Sequence, residues 1–379
     1  MLGAVTAIGP LSLDMYLPAF PQIADDLDVP AAQVQLSLTA CIIGLAVGQL
    51  VFGPLSDGWG RRRPLLVGVL AYAILSLLIA LAPSAPVLVA LRLLQGVAGG
   101  VGIVVARAIV RDLYEGAAAA RFFSRLTLIF GVAPVLAPSI GSAVLRVSSW
   151  HGTFVALGII ALAISAVLVA RLPETLPAER RSAGGLAEIA RTARTLVRDR
   201  VFVGYALAQA FALSALFVYL AGSSFVLQDG YGLSPAVFGL LFGMNAIGLV
   251  ILGQLNARLV GRHPPRRLLV ITLTAQTLSG VIVLAAALAG NLPGLLAGLF
   301  VMISTIGMIQ PNAIALALDR HPSRAGTAAA LLGGLQSVIG AVAAPLAGIG
   351  DPGRGVSMGA LILAFAAAGM LTVPLLTRR

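Results

Sequence analysis

Asp14 is the residue of this sequence best suited to do chemistry, because it lies inside an apolar stretch, Leu2–Ala24, that is long enough to cross a bilayer. At about 1.5 Å per residue the stretch extends roughly 34 Å, against a hydrocarbon core of about 30 Å. A charge at that depth costs about 2.5 to 3.5 kcal/mol, so Asp14 should face the protein interior or a watery cavity. Pro10 and Pro18 each remove a backbone donor. The pattern predicts a kinked helix with a polar face, on which a buried carboxylate could bind and release a proton.

Polar side chains in other apolar stretches could complete such a site. Arg92 lies in the fourth stretch and stays charged when buried, so it needs an acceptor, and Gln95 shares its helix face. We assign Arg92 to proton coupling together with Asp14, although it could instead extend its charge to the membrane edge. A substrate cavity is expected between the halves, near mid-membrane. Its candidate residues are Tyr16, Gln95, Gln209, Tyr219, Asn245, Gln310, Asn312 and Gln336.

The composition indicates that membrane helices position these residues. Of 379 residues 59% are hydrophobic and 10% charged, and the mean hydropathy is +1.00. A soluble protein carries about 25% charged residues, so a soluble domain of any size is excluded. Proline, glycine and charge clusters separate twelve apolar segments. These are residues 2–24, 33–56, 64–82, 86–110, 122–145, 151–170, 202–227, 235–259, 267–289, 293–317, 326–349 and 356–376.

The distribution of arginine predicts the topology. The excess of basic residues would suggest nucleic acid as a partner, but 22 of the 25 lie in alternate loops. The intervening loops hold only Arg146 and Arg354. Basic loops stay in the cytoplasm, so both termini are expected there.

The longest loop divides the segments six and six. We therefore predict an amino-terminal bundle at 1–171, a cytoplasmic linker at 172–200 and a carboxyl-terminal bundle at 201–379. Gly48 and Gly53 in the second segment recur as Gly248 and Gly253 in the eighth. An even number of spans in each half keeps such repeats parallel, as in transporters that rock two bundles about a central site.

The turn after the second segment carries a specific motif. It reads Gly53-x-Leu-x-Asp57, followed by Gly60 and Arg61, and it resembles the signature loop of the major facilitator superfamily. The resemblance implies a cytoplasmic latch formed by these four numbered residues. Gly58 departs from the pattern, because that family normally has Arg after the Asp.

Two further motifs point to the same superfamily. Arg92-x-x-Gln95-Gly96 resembles its motif in the fourth span, and the glycines that follow favour close helix packing rather than a phosphate loop, since no strand precedes them. The fifth span resembles the antiporter motif of the drug exporters, although a helix that only packs would show similar residues. The residues that carry this second resemblance are Pro134, Ala137, Pro138 and Gly141.

Residues 14–19, 106–112 and 224–245 are similar to the Bcr/CflA drug-resistance family, and the similarity covers essentially the whole chain. The resemblance implies proton-coupled export of varied drugs across the bacterial inner membrane by a monomer. Drug-like molecules, protons and the lipid bilayer would be the partners, with no nucleic acid. No cofactor or metal is expected, since the three His lack partners at ligand spacing and the proton gradient supplies the energy.

Two other functions compete with drug export. A metabolite transporter of the same fold, either an exporter or a proton symporter, would share every motif above. A polytopic membrane enzyme would need clustered His, Asp, Ser or Cys at one interface, whereas here such residues are scattered over loops. We therefore expect a transporter and not an enzyme.

Overall fold

The computed structural model of the protein is built from α-helices. It describes residues 1–114, 122, 133, 136–177, 194–319, 325–348 and 352–377. Within these ranges there is no strand, and nine helices are long and apolar enough to cross a membrane. A helix forms the backbone hydrogen bonds of its N–H and C=O groups within one segment, which lipid requires. The prediction of an all-helical polytopic protein is confirmed.

The helices follow the predicted order along the chain. The first part of the sequence contains α1 (Leu2–Asp14), α2 (Phe20–Asp26), α3 (Ala31–Trp59), α4 (Arg62–Ile79), α5 (Ala85–Leu113), α6 (Leu136–Leu145) and α7 (Trp150–Arg171). The second part contains α8 (Arg200–Phe225), α9 (Pro235–Leu259), α10 (Pro265–Leu288), α11 (Leu292–Leu318), α12 (Ala325–Leu346) and α13 (Val356–Leu376).

The first segment is not the single helix that we predicted for residues 2–24. Helix α1 ends at Asp14, and a 3₁₀ helix at Leu17–Ala19 then leads into α2. Pro18 has no N–H with which to continue the α-helical hydrogen bonds, so the chain tightens there. Pro10, by contrast, lies inside α1. The break makes Asp14 the last residue of a helix rather than the middle of one.

The chain folds into two compact units. The first comprises Met1–Gly184 together with Pro235–Leu240, and the second comprises Gly185–Ser234 together with Leu241–Arg379. The bundle and linker boundaries that we drew at 1–171, 172–200 and 201–379 stay a prediction.

Helices α3 and α5 approach each other closely in the first unit. A Cβ atom on Gly96 would overlap the Cys41 carbonyl oxygen, and one on Gly44 would overlap that of Leu93. Only glycine allows two backbones to come this close, which is the usual way in which membrane helices pack tightly. The contact fixes the position of α5 and thus of Arg92, one turn before Gly96.

The repeated glycines occupy equivalent interfaces. Gly48 of α3 packs against Val97 of α5, and Gly248 of α9 packs against Ser304 of α11. In the second unit α8 also packs against α11, α12 and α13 around a common apolar core. The sequence repeat therefore corresponds to a repeated helix-pair contact.

Candidate functional site

Asp14 is buried at the carboxyl end of α1, with 5% of its surface exposed. In the part of the chain that the structure describes, no group donates a hydrogen bond to its carboxylate or pairs with its charge. A buried carboxylate without a partner is costly when ionised. A bound proton removes that cost, so the surroundings of Asp14 suit a proton carrier.

Arg92 is completely buried and contacts the same end of α1. Its Nη2 donates to the Ser12 carbonyl oxygen at 2.8 Å, and its Nη1 donates to Gln95 Oε1 at 2.6 Å. The last carbonyl groups of a helix lack helical donors, and a positive charge is favourable there. Arg92 thus caps the last turn of α1 at Ser12, two residues before Asp14. Its guanidinium is therefore bonded to groups in the protein interior.

Hydroxyl and amide groups extend this contact from α1 to α4. Gln95 Nε2 donates to Ser76 Oγ at 2.7 Å, and Ser12 Oγ lies 2.5 Å from the Tyr72 hydroxyl. All four side chains are buried. We did not predict Ser12, Tyr72 or Ser76, because a hydroxyl in an apolar segment carries no signal of its own.

The Tyr16 ring also contacts the Arg92 guanidinium. The guanidinium carbon is 4.2 Å from the centre of the Tyr16 ring, which is a cation–π distance. The Tyr16 hydroxyl lies 3.2 Å from Ser37 Oγ of α3. Among the described residues no carboxylate pairs with Arg92, and its Nε has no acceptor. Asp14 and Arg92 therefore meet at one helix end without forming an ion pair, and their joint role in proton coupling stays a prediction.

The turn between α3 and α4 holds a second charged group, which we call the turn cluster: Asp57, Arg61 and Asp112. Arg61 Nη1 bonds to Asp57 Oδ1 at 2.5 Å, and Arg61 Nε bonds to Asp112 Oδ2 at 2.8 Å. Burial would lower the pKa of Arg61, but the two carboxylates outweigh burial and raise it. The motif predicted the first pair, whereas the bond to Asp112 was not predicted, and the role of the turn as a cytoplasmic latch stays a prediction.

Glycines shape this turn. Gly60 has a φ of 88°, a conformation that side chains with a Cβ rarely adopt, so it permits the sharp reversal before Arg61. A Cβ on Gly53 would lie 3.4 Å from the Val104 side chain of α5. A Cβ on Gly58 would meet nothing within 4 Å. The missing Arg of the family pattern therefore does not reflect a lack of space.

Helix α6 supports the end of α1. A Cβ on Gly141 would overlap the Met15 carbonyl oxygen, directly after Asp14, so α6 touches the backbone of the break. Ala137 is buried, and the Pro138 carbonyl accepts from Ser142 Oγ at 2.8 Å. Pro134, the fourth residue of the predicted antiporter motif, lies outside the described residues.

Hydrogen bonds join several of the candidate cavity residues of the second unit. The hydrogen-bonded pairs are Asn245 with Tyr219 at 3.0 Å, Gln209 with Gln336 at 3.4 Å, and Asn312 with Asn256 at 2.6 Å. Gln310 is half-buried. Asn256 was missed in the sequence, since its partner lies 56 positions away. Gln209 Oε1 is buried without a donor among the described residues.

Long apolar helices around buried polar side chains, with a basic turn between two of them, are the features of a multi-pass membrane protein with an internal functional site. The family model of the Major Facilitator Superfamily matches residues 2–345. The chain belongs to this superfamily, whose members are transporters.

Known relatives of the chain cover almost its whole length. It is 41% identical to an uncharacterized MFS-type transporter, YdgK, of Bacillus subtilis, covering 98% of this chain and 93% of the relative. It is 34% identical to a bicyclomycin resistance protein homolog of Haemophilus influenzae, covering 90% and 86%. It is 30% identical to multidrug resistance protein D of Escherichia coli, covering 100% and 95%. The resemblance to the Bcr/CflA drug-resistance family is confirmed.

Solved structures show the same fold. A bacterial homolog of the human lysosomal transporter Spinster matches with a TM-score of 0.75 at 17% identity, covering 99% of this chain and 95% of that one. The nucleoside transporter NupG matches with a TM-score of 0.77 at 11% identity, covering 100% and 99%. The predicted all-α major facilitator fold is confirmed. The nine long apolar helices and the shorter ones of the described residues are consistent with the twelve spans that we predicted.

Proposed function

We propose that this protein exports drug-like molecules across the bacterial inner membrane in exchange for protons. The observation that carries the proposal is the burial of Asp14 at the break of α1, where no described residue pairs with its carboxylate. The names of the relatives, which include bicyclomycin and multidrug resistance proteins, supply the substrate class. Both termini face the cytoplasm in this proposal, as the arginine distribution predicts.

The proposed cycle alternates the charge of Asp14. A proton taken up from outside neutralises the carboxylate, and the neutral site can then turn toward the cytoplasm at low cost. Drug binding there favours release of the proton. Arg92 holds the end of α1 in place through the Ser12 carbonyl while Asp14 changes its charge. Each charge that moves inward contributes about 2.3 kcal/mol per 100 mV, so the proton gradient can supply the energy and no cofactor is needed in this proposal.

Purified protein in proteoliposomes tests the proposal through proton release induced by added drug. Asp14→Asn should insert normally, since it removes a charge from the membrane, but it should release no protons. Asp25→Asn is the matched control, because Asp25 is an exposed carboxylate on the neighbouring helix α2. Proton release by Asp14→Asn at the wild-type ratio would exclude Asp14 as the carrier.

A further inference from the structure

Glu174, just beyond α7, bonds to the turn between α3 and α4 through backbone N–H groups. Its Oε1 accepts from the N–H groups of Arg61 at 2.8 Å, Thr175 at 3.0 Å and Leu176 at 3.0 Å. Its Oε2 accepts from the N–H of Arg62 at 3.2 Å. Because Arg62 is the first residue of α4, the carboxylate also faces the positive end of that helix.

Other contacts hold the same short segment, Leu172–Leu176, which we call the docked segment. Arg62 Nε donates to the Leu172 carbonyl at 2.7 Å, and its Nη2 donates to the Val169 carbonyl at 3.1 Å. The side chains of Leu172 and Leu176 are 4% and 7% exposed. The docked segment is therefore held by two buried leucines, by the bond from Arg62 to the Leu172 carbonyl, and by the bonds from the Arg61 and Arg62 N–H groups to Glu174.

The charge of Glu174 suits this place. Burial raises its pKa, but the four N–H donors outweigh burial and hold the pKa below the ordinary value of 4.5. The guanidinium groups of Arg61 and Arg62 bond elsewhere, to Asp112 and to the Leu172 carbonyl. Thr175 Oγ1 donates to Asp112 Oδ2 at 3.4 Å. Because the pKa is lowered, ionised Glu174 stabilises the docked segment fully above pH 4.5, and this stabilisation is lost as the pH falls through the lowered pKa. At cytoplasmic pH the carboxylate stays ionised.

Arg61 connects the docked segment to the turn cluster. Its backbone N–H bonds to Glu174, and its guanidinium bonds to Asp57 and Asp112. Fixing the backbone of a long side chain reduces the number of positions that its charged end can reach.

We propose that Glu174 is a positioning residue of the transport cycle: it fastens the docked segment to the α3–α4 turn and thereby holds Arg61 between its two carboxylates. The effect on transport rests on the proposed function, whereas docking itself does not. The role requires acceptor oxygens at two points, and three of the four donors converge on one oxygen. Glutamine can therefore replace glutamate in part, since its carbonyl oxygen accepts from the same three donors while its NH₂ faces the N–H of Arg62.

The test measures how fast a membrane-impermeant maleimide labels Leu176→Cys in everted vesicles. Leu176 is buried while the segment is docked, so labelling should be slow when Glu174 is present and about tenfold faster with Glu174→Ala, since charge-assisted hydrogen bonds are lost. Glu174→Gln should lie between the two. Thr175→Val is the matched control, because it keeps the backbone N–H and removes only the 3.4 Å contact to Asp112.

The same variants, without the added cysteine, are then compared in drug transport. We expect a lower maximal rate with an unchanged KM for Glu174→Ala, and partial rescue by Glu174→Gln. Equal labelling of all variants, or Glu174→Gln labelled as fast as Glu174→Ala, would overturn the docking role. Because labelling needs neither drug nor gradient, that result would leave the antiport proposal intact. Faster labelling with unchanged transport would refute the positioning role.

Discussion

Arg92 shows how a buried charge is held when no described carboxylate balances it. A carbonyl at the end of α1, the Gln95 amide and the face of the Tyr16 ring surround the guanidinium. Each group alone is neutral, but hydrogen bonds to a charged donor are stronger than those between neutral groups. The planar fork of arginine reaches two acceptors at once, which an ammonium group cannot do with the same geometry.

Arg92→Lys should therefore be harmful although it keeps the charge. One of the two acceptors, Gln95 Oε1 or the Ser12 carbonyl, loses its donor, at a cost of about 2 kcal/mol. We expect a lower thermal midpoint in detergent and a drug transport rate reduced at least about tenfold. Arg171→Lys, an exposed arginine at the end of α7, serves as the control. Wild-type stability and transport in Arg92→Lys would mean that the fork is not needed.

The sequence predicted those contacts that follow from helical spacing. Gln95 is three residues from Arg92, and Arg61 is four from Asp57, so each pair shares one face or one helix end. The missed partners lie far away in the chain: Tyr72 is 60 positions from Ser12 and Asp112 is 51 from Arg61. Such pairs depend on how the helices pack.

At the scale of elements, the end of α1 is held from two sides. Arg92 of α5 bonds to the Ser12 carbonyl, and Gly141 of α6 lies against the Met15 carbonyl. Ser12 and Met15, whose carbonyl groups are contacted, lie on either side of Asp14 in the sequence. Helices α5 and α6 thus determine where the proposed proton carrier lies, although neither bonds to its carboxylate.

Gly141→Ala should disturb the break because the added methyl group overlaps the Met15 carbonyl oxygen. Forced overlap in a packed interior costs about 1 to 3 kcal/mol, so we expect transport to fall roughly tenfold or more. Gly58→Ala is the matched control, since a Cβ there meets nothing within 4 Å and alanine favours the helix. Equal transport by both variants would show that the α6 contact does not position α1.

The sequence indicated that the first segment is kinked but not where its helix ends. Pro10 and Pro18 carry the same local signal, yet α1 continues past the first and ends before the second. The residues that contact the end of α1 are remote in sequence. Arg92 of α5 bonds to the Ser12 carbonyl, and Gly141 of α6 lies against the Met15 carbonyl.

At the scale of the whole molecule, composition and motifs were sufficient for the fold class. Apolar segments of membrane-spanning length, repeated glycines and the signature-loop motif predicted a major facilitator fold, which the matched solved structures also have. Helix rotation could not be predicted in the same way, because a segment that is apolar on all sides has no periodic signal. This is why the paired arrangement of the cavity candidates appeared only in the structure.

The topology can be tested on the intact chain. With both termini in the cytoplasm, the cysteine introduced by Gly184→Cys should be labelled by an impermeant reagent only in everted vesicles. Arg146→Cys, in one of the arginine-poor loops, should be labelled only in intact cells or right-side-out vesicles. The reverse pattern would invert the predicted orientation and with it the direction of the proposed export.

The close contact between α3 and α5 has a practical consequence for such labelling. Cys41, the single cysteine of the chain, has no exposed surface, and its backbone lies against Gly96. Its thiol is buried, so an aqueous thiol reagent does not reach it in the folded protein and there is no need to replace it. Cysteines can therefore be introduced into the native sequence and labelled without a signal from Cys41.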